Sequence, residues 1–119
     1  ITGTAVGISV YFSTNQVTFN DAPFETYSYN TEGGNTGVLT RCANCGTNVF
    51  WKMSLEALKD TIGIAGGTFD PPTFWYEVER EVFARSKANF CQISSTQSFE
   101  TSPISKPVRE DDGRLKGKT

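Results

Sequence analysis

Thr36-Gly37-Val38-Leu39-Thr40-Arg41-Cys42-Ala43-Asn44-Cys45-Gly46-Thr47-Asn48-Val49-Phe50-Trp51-Lys52-Met53 is the stretch that decides how this chain folds. Two runs rich in β-branched and aromatic residues, the usual strand formers, flank a pair of thiols two residues apart. The C-x-x-C-G loop lets both sulfurs face one point, and Gly46 admits the positive φ that such a turn needs. A β-hairpin with a metal-gripping knuckle at its tip is therefore predicted. A redox C-x-x-C would sit at a helix N-terminus after a βα unit, where its thiol pKa is lowered. Here the motif lies between strands and is followed by Gly-Thr-Asn, so metal binding is the better reading. A structural zinc takes four ligands, and Cys42 and Cys45 supply two. The chain has 3 Cys and 0 His. The remaining cysteine, Cys91, lies in the apolar segment from Phe90 to Ile93, where a free thiol behaves as a small buried hydrophobe. By residue counting the knuckle is half of a site.

Upstream, Thr4 to Phe12 sets Val6, Ile8 and Val10 on one side with small residues opposite, which is strand periodicity. Ser13-Thr14-Asn15-Gln16 is a turn cluster, Val17-Thr18-Phe19 a short return strand, and Asn20 to Pro23 a break. Phe24 to Tyr29 reads as a strand with Tyr27 and Tyr29 on one face, and Asn30 to Asn35, with Gly33-Gly34, as a hairpin tip. Downstream, Ser54 to Lys59 is the one plausible helical turn, with Ser54 as N-cap. Thr61 to Ala65 is a buried strand, and Gly66-Gly67-Thr68-Phe69-Asp70-Pro71-Pro72 redirects the chain. Phe74 to Phe83 alternates in part, and Lys87 to Ile93 is a last short apolar segment. From Ser94 onward Ser, Thr, Pro and charge dominate. Residues 1–93 thus form a β domain and 94–119 a polar C-terminal extension. The candidate core is Val6, Ile8, Val10, Phe50, Trp51, Ile62, Ile64, Val82 and Phe83.

The 119 residues suit one domain with a real core, and the 37% hydrophobic and 20% charged content is that of a soluble globular chain. A net charge of -2 gives no electrostatic footprint for nucleic acid or an acidic membrane. No apolar run reaches a membrane span and no secretory signal is visible, so a cytoplasmic location is expected. Without His there is no Ser/His/Asp or Cys/His nucleophile system. Gly63 to Thr68 lacks the Lys and following helix of a phosphate loop. The carboxylate pairs Glu77/Glu79 and Asp111/Asp112 read as solvated charge, and Phe69, Phe74, Trp75 and Tyr76 as core or pocket wall. No catalytic residue is assigned, and cofactor-binding residues stay unknown.

The order of motifs resembles the glutathione-dependent formaldehyde-activating enzyme (GFA) / centromere protein V family. The resemblance rests on Cys42-Ala43-Asn44-Cys45-Gly46-Thr47, on Ile64-Ala65-Gly66-Gly67-Thr68-Phe69-Asp70-Pro71-Pro72, and on Val82 to Phe90. It implies an all-β, zinc β-tent-like fold of stacked antiparallel sheets with a zinc-knuckle hairpin. It also implies descent from a zinc-dependent carbon–sulfur lyase of the S-(hydroxymethyl)glutathione synthase type. Glutathione, or another thiol, would be the cosubstrate and formaldehyde, or a related aldehyde, its partner. Carried over residue by residue, Cys42 and Cys45 take the structural-zinc role. Gly66, Thr68 and Asp70 match the turn motif without a catalytic role. The opening Ile1 to Gly7 resembles the stretch just after the family's C-x-C-x-x-C cluster, so the chain is expected to lack the N-terminal zinc-binding segment and with it the catalytic zinc ligands. Whether the chain is an enzyme stays open at this stage. The rival reading is a non-catalytic zinc-ribbon-like or metal-free scaffold that binds a small molecule or protein. A third is a homodimer in which two chains each offer Cys42 and Cys45 to one zinc.

Overall fold

A computed structural model of the chain describes residues 2–106. Its centre is a five-stranded antiparallel sheet of β1 (Ser9–Ser13), β2 (Phe24–Asn30), β3 (Thr36–Cys42), β4 (Asn48–Met53) and β5 (Thr61–Ala65). The strand order is β1-β5-β4-β3-β2. A two-residue parallel ladder joins β6 (Arg80–Glu81) to β7 (Gln97–Ser98). Among the described residues the only helical elements are three single 3-10 turns, at Thr14–Gln16, Glu56–Leu58 and Ala84–Ser86. The protein is mainly β, as its composition predicts.

The registers explain which side chains share a face, because directly opposed residues of an antiparallel pair project the same way. Tyr11 faces Gly63, Gly63 faces Trp51, Trp51 faces Leu39 and Leu39 faces Tyr27. That row crosses the whole sheet. On the other face Val10, Ile64, Phe50, Thr40 and Thr26 form the matching row. The core lies in the three inner strands, where Ile62 is 2% exposed and Leu39 and Trp51 are each 8% exposed. Full burial of such side chains contributes about 1.5–3 kcal/mol each. Gly63 has a steric reason to be glycine: a Cβ there would run into the Trp51 indole.

Several sequence expectations need correction. Val17-Thr18-Phe19 is not a strand, because among the described residues no neighbouring strand accepts it. Val17 N–H instead closes the turn onto Thr14 C=O at 3.4 Å. Phe19 packs its ring 4.8 Å from that of Phe50. Ser54 is not an N-cap: its Oγ accepts the Thr36 N–H at 2.9 Å, and Leu55 precedes the 3-10 turn. The first strand begins at Ser9, later than the predicted Thr4. Phe74 to Phe83 yields only the two residues of β6, since Phe74 and Phe83 both adopt positive φ (57° and 56°), which a strand does not allow. Val82, Phe83 and Val6 are surface residues at 44%, 37% and 37% exposure, while Leu39 belongs to the core. The described part of the polar C-terminal stretch ties back into the domain through β7. Residues 107–119 of that predicted extension, including Asp111 and Asp112, lie outside the described residues.

Candidate functional site: the cysteine knuckle

The hairpin of β3 and β4 carries the two thiols at its tip. Its base is closed by Cys42 N–H donating to Thr47 C=O at 2.9 Å, and its turn by Gly46 N–H donating to Cys42 C=O at 2.8 Å. Gly46 takes φ +75°, the left-handed conformation that a side chain disfavours. Ala43 N–H reaches Pro23 C=O at 2.7 Å, which anchors the tip to the start of β2. A register shift between Thr40 and Arg41 lies just below. Such bulges re-aim the side chains that follow. Beside it Arg41 and Glu25 form an exposed ion pair at 2.9 Å.

Cys45 is exposed and Cys42 half-buried. Thr47 Oγ1 lies 3.2 Å from Cys45 Sγ. That hydroxyl, the Thr47 N–H and then the Cys42 thiol lower the Cys45 pKa below the ordinary thiol value by favouring the thiolate, against a smaller opposing effect of burial. The thiolate is the form that ligates metal. Thr47 is therefore a residue that counting ligands missed, although its place directly after C-x-x-C-G could have suggested it.

Cys91 is half-buried, and among the described residues no group of three or more His, Cys, Asp or Glu side chains gathers to hold a metal ion. The donor set fits two thiolate ligands of a closed structural zinc. It does not fit an open catalytic zinc, which needs three protein ligands around a free position. A zinc held by Cys42 and Cys45 would thus need two further donors.

The glycine-rich turn after β5 is structural. Thr68 N–H and Oγ1 both donate to Ala65 C=O, at 3.1 and 2.7 Å. A Cβ on Gly66 would collide with the Tyr76 phenol and the Ile8 side chain. Tyr76 closes this turn, and burial pushes its phenol pKa up. Phe69, Trp75 and Tyr76 meet edge to face, with Trp75 and Tyr76 centroids 5.4 Å apart. Asp70 is exposed. A shallow cavity of about 380 Å³ opens between Glu77-Val78 and Ser94-Ser95-Thr96, with no cysteine in its wall.

Searches of curated proteins and of solved structures find no match. The family model described as glutathione-dependent formaldehyde-activating enzyme matches residues 1–92, which span the knuckle hairpin, the sheet and the glycine-rich turn. The chain belongs to the glutathione-dependent formaldehyde-activating enzyme (GFA) family.

Proposed function

We infer that the protein serves the thiol–aldehyde chemistry of its family, with Cys42 and Cys45 as two ligands of a structural zinc. In that chemistry the sulfur of glutathione, or of another thiol, adds to the carbonyl carbon of formaldehyde or a related aldehyde. The new C–S bond replaces the carbonyl π bond, and the thiol proton ends on the former carbonyl oxygen. The reverse reaction breaks the C–S bond and returns the proton to sulfur. The observation that carries the reading is the knuckle geometry inside the family-matched span: two sulfurs on one hairpin tip, a left-handed Gly46, and Thr47 stabilising the Cys45 thiolate.

A zinc held there would supply a cross-link between this tip and whatever brings the remaining donors. The described residues do the rest of the work at the tip. Thr47 lowers the Cys45 pKa and so favours its thiolate, Gly46 lets the loop close, and Pro23 C=O fixes its angle to the sheet. We assign no proton-transfer role to a described side chain, and in this reading residues 2–106 act as scaffold for the reaction.

Exchange NMR of a formaldehyde–glutathione mixture tests this. The zinc-loaded chain is expected to broaden the resonances of the S-(hydroxymethyl)glutathione adduct by binding it, while leaving the rate of adduct formation at its uncatalysed value. Acceleration of adduct formation would refute the scaffold assignment. Absence of any adduct binding would refute the thiol–aldehyde reading.

A further inference from the structure

At the tip of the β3–β4 hairpin residues 43–47 are all exposed, and Cys42 at the base of the turn is half-buried. The turn holds the two cysteines close. Gly46 N–H donates to Cys42 C=O at 2.8 Å and Cys42 N–H to Thr47 C=O at 2.9 Å, so the chain reverses within the span that contains both. A turn of this size keeps the Cα atoms of residues three apart within about 7 Å, inside the limit beyond which two cysteines cannot be bridged. The side chains converge as well, since the Cys42 thiol hydrogen-bonds the Cys45 sulfur. A Cβ built on Gly46 would meet nothing within 4 Å, so the tip has room for the shift that an S–S bond requires.

Among the described residues no third donor gathers on these two thiols, and the partner each has at hand is the other. Cys91 is half-buried and does not join them. A turn between strands lacks the helix N-terminus that makes a C-x-x-C a strong redox catalyst. The pair is therefore suited to a reversible change of state, not to oxidoreductase turnover.

We propose that Cys42 and Cys45 are a modification site that exchanges with a low-molecular-weight disulfide and closes an intraloop disulfide, the oxidised state of the metal-holding pair. The exposed Cys45 reacts first. Its thiolate attacks one sulfur of the small disulfide, the S–S bond breaks, and one small thiol leaves. Cys42, beside the mixed disulfide, then attacks the Cys45 sulfur and expels the second small thiol. The two protein thiols lose two electrons and two protons, and the small disulfide gains both as it becomes two thiols. An excess of small thiol runs the same steps backward. The β3–β4 pairing ends at Arg41 and Asn48, outside the ring, so the sheet is common to both states. Once the ring is closed neither sulfur is a thiolate, the form that ligates metal, so the disulfide and a bound zinc exclude each other. Only that last consequence rests on the structural-zinc reading.

The experiment treats the whole reduced, metal-free chain with glutathione disulfide under argon, quenches with iodoacetamide and digests with trypsin. Cleavage after Arg41 and Lys52 releases both knuckle cysteines in peptide 42–52, apart from Cys91. That peptide is expected to lose two hydrogens and escape alkylation, while Cys91 is alkylated. Cys42→Ser should trap glutathione on Cys45. Cys45→Ser should take up glutathione at Cys42 at least ~10-fold more slowly, since half-burial limits access. Zinc at about ten times its Kd should slow ring closure in the wild type about tenfold by mass action. A stable mixed disulfide on the wild type, equal rates in the two single variants, or pairing of Cys91 with either knuckle cysteine would overturn the proposal. Undiminished zinc uptake by the oxidised chain would overturn it too. Ring closure that zinc does not slow, in a reduced chain that binds no zinc, would refute the structural-zinc reading and leave the disulfide established.

Discussion

Between Ser9 and Ala65 every strand is bonded to a neighbour, whereas from Gly66 to Lys106 the only ladder is the pair of two-residue strands β6 and β7. The first region buries Ile62, Leu39 and Trp51. The second leaves Phe74 and Trp75 more than half exposed and Phe90 82% exposed. Its order comes from the Phe69–Trp75–Tyr76 rings, from backbone bonds such as Phe99 N–H to Glu81 C=O at 2.8 Å, and from a few side-chain polar contacts. Glu81, itself 8% exposed, is held by Lys87 Nζ at 2.8 Å and Ser98 Oγ at 2.9 Å. Arg85 is tied to Glu32 at 2.8 Å. Packing distributes stability over many atoms, whereas a few ion pairs concentrate it and expose it to pH. The two regions should accordingly fail under different conditions.

The largest effect is expected in the sheet. Ile62→Ala empties the best-buried site and should lower global stability by about 2–5 kcal/mol in urea unfolding. A loss well below 1 kcal/mol would mean that the inner strands are not the core. Arg85→Met should be milder, at about 1–3 kcal/mol, since it removes the 2.8 Å contact to the partly buried Glu32 carboxylate. Hydrogen exchange should place that loss in the segment after Gly66 and the Thr31–Asn35 turn. Uniform loss across the sheet would erase the proposed division.

Acid should separate the regions further. Lys87 first, then Ser98, lowers the Glu81 pKa below the ordinary glutamate value. The folded value is thus below the unfolded one. The stabilisation is complete above the unfolded pKa, about pH 4.3, and is lost as pH falls through the folded value. Protection around β6 and β7 should therefore drop on acidification before that of β3 to β5. Lys87→Met should flatten this dependence. The smallest effect concerns reactivity alone: Thr47→Val removes the first cause of the lowered Cys45 pKa. Iodoacetamide alkylation of Cys45 should then shift to higher pH, with the unfolding curve unchanged.

The division between regions also marks what could be seen in the residues themselves. The knuckle hairpin and β5 were legible because alternating β-branched and aromatic side chains, a C-x-x-C-G turn and a buried Ile-Gly-Ile are local signals. Val17-Thr18-Phe19 carries the same propensity but lacks a neighbour to bond, a fact no short window contains. Val82 and Phe83 look like core in the sequence but are surface residues. The Arg85–Glu32 pair spans 53 positions and has no sequence signature. At the candidate site Cys42 and Cys45 were readable because they are local. The contribution of Thr47 needed the geometry of the sulfur itself. Any donors that would complete a metal site there were not readable, because a half-site does not name its complement.

X-ray absorption at the zinc edge of the loaded protein, compared with Cys42→Ser/Cys45→Ser, tests the knuckle most directly. The proposal predicts a sulfur shell near ~2.3 Å with at least two sulfurs per zinc, absent from the double variant. A shell of nitrogen and oxygen alone, or a sulfur shell that persists without Cys42 and Cys45, would contradict it.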